Sequence, residues 1–159
     1  EVQALVRDRV VPQADIITPN QFELGFLSDT NPLSLEETLE SVDLVRAKGP
    51  SVVLVTSVMR PDAPEGTIEM LVVTDEGAWS VQTPRLDFHP SGSGDVTAAL
   101  FASALVETGS APEALARTAA SVFELLENTY AADATELKLV ESQEAFVNPK
   151  YSFPVTRLR

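Results

Sequence analysis

The chain has 159 residues, of which 44% are hydrophobic, and this is enough for one compact domain with a buried core. A net charge of −13 argues against a nucleic-acid or anionic-membrane surface, and the chain shows neither an apolar run long enough to span a bilayer nor the layout of a signal peptide. The absence of cysteine excludes disulfides, thiolate metal sites and a cysteine nucleophile, so a metal would need oxygen ligands. We therefore expect a soluble, cytoplasmic protein with a single domain over residues 1–159 and no nucleic-acid or membrane partner.

The first thirty residues alternate between helical and strand patterns. Residues 2–10 have helical periodicity, and the apolar run 14–18 has the length of a short strand. Asn20 then opens a short helix that extends to residue 27. This alternation is typical of an α/β layer fold.

The next segment carries the clearest helix boundaries in the chain. Ser34 and Glu37 have the spacing of a capping box, Lys48 falls in the last turn, and Gly49 follows the predicted end. The β-branched run 51–56 then predicts a strand covered on both faces, as in a parallel sheet.

A hairpin and a helix follow. The apolar runs 67–74 and 78–83 flank the turn Asp75-Glu76-Gly77 and predict two antiparallel strands. Residues 95–106 predict a helix that is apolar almost all round, and we expect it to be buried against a sheet and to hold its N-terminus rigidly.

The last third predicts one long helix and little else. This helix covers residues 112–128, and Ser110 and Glu113 stand at capping-box spacing at its start. The run ELKLV at residues 136–140 resembles a short strand, and the tail is expected to be extended.

The stretch GSGD, residues 92–95, is the strongest chemical signal. Gly92 and Gly94 suit a backbone that approaches a ligand closely or takes a positive φ, and the free N–H groups of the following first turn would stabilise an anion without a basic side chain. Asp95 in that turn is placed to accept a proton from a hydroxyl that attacks a bound phosphorus; a weak base suffices there, because the transition state of phosphoryl transfer is loose. On these four residues alone, an ordinary turn with Asp95 favouring the helix dipole is an equally good interpretation.

Longer stretches carry a family resemblance over nearly the whole chain. The segments ADIITPNQFELGFL, VVLVTS, GSGDVTAALF and ELKLVESQEAF resemble, in order and spacing, the C-terminal half of pyridoxal kinases of the ribokinase superfamily. The pair TPNQFE and GSGD is far more specific than either motif alone. The resemblance implies a partial, ribokinase-like doubly wound α/β fold, and an enzyme that uses ATP and Mg²⁺ to phosphorylate the 5′-hydroxyl of pyridoxal, pyridoxine or pyridoxamine.

The resemblance also implies roles for the GSGD stretch. The aspartate that matches Asp95 is the catalytic base of the family, and the backbone that matches Gly92, Ser93 and Gly94 forms the anion hole for the transferring phosphoryl group.

Two further pairs of residues receive roles in the same way. The positions that match Asn20 and Glu23 act near the metal and phosphates, although N-x-x-E is also the spacing of a capping box. The positions that match Thr56 and Ser57 contact the nucleotide phosphates, although a routine turn at the end of a strand would look the same.

Other positions carry weaker signals. Val122 and Leu126 could line an adenine pocket, but the core explains them more simply. Arg60 lies in a Pro-rich loop that could fold over a nucleotide, and we expect it to be solvated instead. His89, the single histidine, is expected to be a loop residue without a catalytic role.

A complete kinase of this family has a further N-terminal half, which supplies most of the vitamin-binding pocket. We expect this chain to be a C-terminal fragment that does not turn over pyridoxal alone, and whose uncovered sheet edge favours self-association or a homodimer. Two alternatives remain open. One is a hydroxymethylpyrimidine kinase of the same fold, which usually carries cysteine at the position of Asp95; the other is a non-catalytic nucleotide-binding module.

Overall fold

The computed structural model describes residues 2–88 and 90–159, so His89 lies outside the described residues. The helices are α1 (Val2–Leu5), α2 (Gln21–Ser28), α3 (Leu35–Arg46), α4 (Ser93–Thr108), α5 (Ala111–Ala131) and α6 (Gln143–Val147). The strands are β1 (Ile16–Ile17), β2 (Val52–Val58), β3 (Thr67–Thr74), β4 (Gly77–Pro84) and β5 (Val155–Arg157). Helical turns continue from α1 to Gln13, which confirms and extends the predicted first helix.

The strands form one mixed sheet in the order β1-β2-β3-β4-β5. The β1 and β2 strands are parallel, whereas β3, β4 and β5 each pair antiparallel with the strand before them in that order. The predicted hairpin is therefore confirmed, and the extended tail becomes the edge strand β5.

Helices cover both faces of this sheet. On one face Val53 and Val55 of β2 pack in a cluster with residues of α2 and α3, and on the other face Leu54 packs in a cluster with residues of α4 and α5. Both faces of β2 are thus buried, as its β-branched run predicted. The strand pairs in parallel with β1 only, and its other neighbour, β3, is antiparallel.

The helix starts at α2 and α3 follow their sequence signals. Ser34 and Glu37 form a complete capping box, in which Glu37 N–H donates to Ser34 Oγ at 3.2 Å and Ser34 N–H donates to Glu37 Oε2 at 2.9 Å. Hydrogen bonds from the backbone N–H groups of Leu33 and Ser34 lower the pKa of the Glu37 carboxyl.

The predicted capping box of α5 does not form. Ser110 is the N-cap residue, but its side chain makes no capping bond. In a capping box the Ser110 N–H would donate a hydrogen bond to the Glu113 carboxylate. Here it donates to Thr108 Oγ1 at 3.1 Å instead. The hydroxyl of the preceding helix end has therefore replaced the predicted partner.

The run ELKLV is not a strand. Only Glu136 pairs, in an isolated parallel bridge with Ser91, and the chain then curls into turns. Lys138 N–H donates to the Thr129 hydroxyl at 3.1 Å, and Ser142 N–H donates to Lys138 O at 3.0 Å. These bonds to α5 and to the local backbone replace a strand ladder.

The helix α4 is less buried than its composition predicted. Only the stripe formed by Thr97, Phe101 and Ala104 is buried, and Val106 is 85% exposed. The described residues cover one face of α4 with the sheet and α5, and they leave Ala99, Ser103, Val106 and Glu107 exposed.

Within the described residues, no helix is both long enough and apolar enough to cross a bilayer.

Candidate active site

The carboxyl ends of β1 and β2 meet the N-terminus of α4 around a cavity of about 230 Å³, which we call the inner cavity. Five of the residues that line it were site candidates from the sequence: Asn20, Thr56, Ser57, Ser93 and Gly94. The ends of parallel strands are where open α/β sheets bind ligands. The fold therefore brings together three stretches that are far apart in the chain.

The start of α4 presents unpaired backbone donors. Gly92 is the N-cap residue, with φ of +87°, a conformation that favours glycine. Val96 N–H donates to Gly92 O at 3.1 Å, so the N–H groups of Ser93, Gly94 and Asp95 precede the first helical bond. Among the described residues, no side chain caps this end. An anion at this helix start would receive both hydrogen bonds and the favourable helix dipole.

Gly94 has no structural need to be glycine. A Cβ atom built on it would meet no heavy atom of residues 2–88 and 90–159 within 4 Å, and its φ is not positive. Glycine is thus favoured at position 92 by the backbone conformation, as the ordinary-turn interpretation expects. At position 94 the missing side chain leaves open space beside the free N–H donors of α4. That space allows a ligand to approach the backbone.

Not all of the GSGD stretch lines the inner cavity. Ser93 and Gly94 do, whereas Gly92 and Asp95 do not. Asp95 is exposed and follows Gly94 directly in the first turn, so its carboxylate is accessible to a ligand seated on those donors.

Asn20 and Glu23 form the capping box that their spacing allowed. Glu23 N–H donates to Asn20 Oδ1 at 2.8 Å, and Asn20 N–H donates to Glu23 Oε2 at 2.9 Å. Among the described residues, no group of three or more His, Cys, Asp or Glu side chains could hold a metal ion. A bare protein cage is thus absent from residues 2–88 and 90–159. Of this pair only Asn20 lines the inner cavity, whereas Glu23 lines a separate groove between the first helical turns and α2.

Thr56 and Ser57 occupy a β-bulge at the end of β2. Val55 pairs with Leu71 and Val58 with Glu69, so β2 has one more residue than β3 across this step. Ser57 has φ of +54°, and Thr56 N–H donates to Pro19 O at 2.9 Å. Bulges are common beside active sites, where they redirect side chains, and Ser57 here is exposed towards the cavity that it lines.

The far wall of the inner cavity is apolar. Val122 and Leu126 of α5 line it, together with Leu86 and Phe88 from the loop after β4. Val122 is 5% exposed and also lines the cavity, so it belongs to the core as expected, and a contact with adenine stays a prediction. A polar end that suits phosphate therefore adjoins a wall that suits an apolar ring.

Sequence reasoning missed a buried ion pair at this site. Glu69 of β3 is 2% exposed and lines the inner cavity, and it accepts bonds from Arg60 Nε at 2.7 Å and from Gln82 Nε2 at 2.7 Å. The prediction that Arg60 is solvated is wrong: Glu69 holds it, and this bond raises the pKa of the guanidinium. The sequence offered one signal of this ion pair. Glu69 is the single charged residue in the apolar run 67–74, and a buried carboxylate needs a partner.

Comparison with solved structures defines the class of fold. The chain matches pyridoxal kinase from Leishmania donovani in complex with ADP and ginkgotoxin with a TM-score of 0.89 at 23% identity, over 100% of this chain and 56% of that one. It matches pyridoxal kinase from Trypanosoma brucei with a TM-score of 0.86 at 26% identity, over 99% and 56%. The protein thus has the ribokinase-like α/β fold in part, as predicted.

Sequence comparison then identifies the family. Residues 1–139 match the model of the phosphomethylpyrimidine kinase family, and the chain belongs to this family. Similar relatives are the pyridoxal kinases PdxY of Leifsonia xyli subsp. xyli, 61% identical over 154 residues, and of Corynebacterium diphtheriae, 50% identical over 157 residues. The alignments cover 97% and 99% of this chain but 54% and 56% of those proteins, so the chain spans about half their length. These matches confirm the resemblance to pyridoxal kinases.

Proposed function

We propose that the chain is the nucleotide-binding and catalytic portion of a pyridoxal kinase, which transfers a phosphoryl group from Mg-ATP to the 5′-hydroxyl of a B6 vitamer. The observation that carries this proposal is the inner cavity, where free donors at the start of α4 face a space bounded by an apolar wall. No lysine or arginine is among the described residues that line it, so backbone donors and a cation have to balance the phosphate charge. The similarity to PdxY proteins supports the choice of acceptor.

The position of Ser93 and Gly94 at the inner cavity supports their proposed roles, and the resemblance supports that of Asp95. The N–H groups of Ser93 and Gly94 hold the oxygens of the transferring phosphoryl group, and the helix dipole adds to the attraction. Asp95, one residue on, accepts the proton of the attacking hydroxyl late in the reaction. Thr56 and Ser57, which line the same cavity at the end of β2, are proposed to contact the nucleotide phosphates.

Mg²⁺ would neutralise phosphate charge in the bound nucleotide. Asn20 and Glu23 are the residues proposed to lie near it, and their capping box keeps the two side chains in fixed positions at the start of α2. Oε2 of the Glu23 carboxylate accepts the bond of the capping box, and the carboxylate would supply negative charge near the cation.

The isolated chain is predicted not to phosphorylate pyridoxal. Phosphoryl transfer requires both substrates within reacting distance, and most of the acceptor pocket is expected in the half of the relatives that this chain does not match. Formation of pyridoxal 5′-phosphate with Mg-ATP measures this, with Asp95→Asn as the control. Product above that control would contradict the prediction.

The family name leaves a second candidate, because the matching model describes a phosphomethylpyrimidine kinase. Asp95 stands where hydroxymethylpyrimidine kinases usually carry cysteine, which favours pyridoxal as the acceptor. A non-catalytic nucleotide module would bind Mg-ATP equally well. An assay of both acceptors with a protein of the relatives' full length distinguishes all three.

We also propose that the chain self-associates. In the described sheet β1 is an edge strand of two residues. A groove of about 380 Å³ beside it is lined mostly by apolar side chains of the first helical turns, β1 and α2, with Gln3, Thr18 and Glu23 among them. Phe22 in this groove is 80% exposed. Such an uncovered edge favours pairing with a second copy.

Calorimetric titration with Mg-ATP tests the proposed nucleotide site. The Gly94→Val variant should fold, because its side chain enters open space, but that side chain should block phosphate and abolish detectable binding. Ala99→Val, at an exposed position of the same helix that does not line the inner cavity, is the matched control and should bind like the parent chain. Equal binding by parent and Gly94→Val would refute the placement of phosphate, and no binding by the parent would refute an independent nucleotide site.

A further inference from the structure

Gln21, the first residue of α2, joins two separate segments through its side-chain amide. Its Oε1 accepts a hydrogen bond from Met59 N–H at 2.9 Å, and its Nε2 donates to Pro32 O at 3.0 Å. The partners determine the orientation of the amide, since only its oxygen can accept from an N–H and only its nitrogen can donate to a carbonyl. Both atoms of the amide are therefore committed to backbone groups.

Met59 lies immediately beyond the bulged end of β2. Ser57, two residues earlier, has φ of +54°, and a residue other than glycine keeps such a conformation only where its surroundings enforce it. At the first residue of the bulge, Thr56 N–H donates to Pro19 O at 2.9 Å. After the bulge, Met59 N–H donates to Gln21 Oε1, so Ser57 lies between two hydrogen bonds to acceptors in residues 19–21.

The location of the bulge makes its geometry relevant to ligand binding. Ser57 and Asn20 line the inner cavity, and both also line a neighbouring cavity of about 730 Å³. Gln21 lines only the neighbouring cavity, so it does not reach the inner cavity by its own side chain. Its influence on the inner cavity has to pass through the backbone of residues 57–59.

We infer that Gln21 is a positioning residue that sets the backbone conformation of Ser57 and thereby the shape of the phosphate end of the inner cavity. The inference rests on the proposed function for its effect on nucleotide affinity, but not for its effect on the backbone. A role limited to bracing the loop at Pro32 predicts neither effect.

The backbone effect is measured without any ligand. Gln21→Met keeps the length of the side chain and removes both hydrogen bonds, and NMR then reports the Cα and Cβ chemical shifts of Ser57 and the amide exchange rate of Met59. We expect the chemical shifts of Ser57 to change. The amide exchange of Met59 should accelerate about tenfold, which corresponds to the free energy of one lost hydrogen bond. Gln13→Met is the matched control, because Gln13 also donates to a backbone carbonyl, that of Arg9 at 3.1 Å, but lines neither cavity. It should leave both signals unchanged.

The effect on affinity is measured by a double-mutant cycle with Mg-ATP. Gln21→Met should weaken binding by about tenfold. In a Ser57→Gly background the loss should shrink to less than about threefold, because glycine adopts a positive φ without help and the two positions are coupled.

The two measurements separate the possible failures. Unchanged Ser57 shifts in Gln21→Met overturn the inference whatever the nucleotide does. Changed shifts with unchanged affinity, or an equal loss in both backgrounds, overturn the link between Gln21 and the phosphate end. If the parent chain does not bind Mg-ATP, the proposed nucleotide site fails, and the chemical shifts still decide whether Gln21 holds the bulge.

Discussion

Two threonines of α5 show how much a single hydroxyl depends on its partners. Thr129 donates to Leu125 O at 2.7 Å and accepts from Lys138 N–H at 3.1 Å. Thr118 is 1% exposed on the same helix, and its Oγ1 has no hydrogen-bond partner among residues 2–88 and 90–159. A buried polar group without a partner costs about 1–3 kcal/mol, so these two hydroxyls are expected to affect stability with opposite sign.

Thr118→Val is therefore expected to stabilise the fold by about 1 kcal/mol, because it replaces the unpaired hydroxyl with a methyl group of similar size. Thr129→Val is the matched control, and it should destabilise by about 1–3 kcal/mol, since Lys138 N–H loses its acceptor. Urea unfolding of both variants measures the difference. A loss of stability in Thr118→Val comparable to that in Thr129→Val would contradict the prediction.

At the scale of the element, local sequence predicts a structure well where no distant group competes. The capping box of Ser34 and Glu37 involves only neighbouring residues, and it forms as predicted. At α5 the same pattern fails because Thr108, from the end of the preceding helix, takes the N–H of Ser110. Spacing alone cannot reveal such a competitor.

The capping box of α3 makes part of the stability depend on pH. Because the pKa of Glu37 is lowered in the folded state, its contribution is present above the unfolded-state pKa and is lost as pH falls through the folded-state pKa. Glu37→Gln should be less stable than the parent chain at neutral pH, and the difference should disappear at acidic pH. Urea unfolding across this range measures it. Glu36→Gln changes the same charge in the same turn outside the box, and a pH dependence equal to that of Glu37→Gln would contradict the assignment.

The candidate site was predictable to different degrees. Sequence motifs indicated Asn20, Thr56 and Gly94, and the fold brings these residues to one cavity. The bond between Arg60 and Glu69 was not foreseen, because it depends on the antiparallel register of β2 and β3. The role of Gln21 was equally hidden, since its partner Met59 is 38 residues away in the chain.

At the scale of the whole molecule, two surfaces of the described residues expose a large apolar side chain. One is the groove beside β1, with Phe22 80% exposed, and the other is the exposed side of α4, where Val106 is 85% exposed between Ser103 and Glu107. Large exposed apolar patches mark interaction surfaces or aggregation hazards. The two surfaces make separate predictions for self-association.

Light scattering at increasing protein concentration should show oligomers of the parent chain. If they form through the groove beside β1, Phe22→Lys should restore the monomer, because burial of a lysine opposes pairing at that edge. Val106→Lys on α4 is the control and should leave association unchanged. A parent chain that stays monomeric at high concentration would contradict the proposal, and monomerisation by Val106→Lys alone would move the interface to α4.

The short edge strand β5 also has a consequence for the order in which the chain folds during synthesis. Roughly 70 residues separate β4 from β5, and ribosomes add about 5–20 residues per second. For about 4–14 s, the growing chain thus carries β4 as an unpaired sheet edge, while α4 and α5, which help to enclose the inner cavity, are still being made. Nascent chains are therefore most exposed to mispairing in this interval, before Val155 arrives opposite Val81.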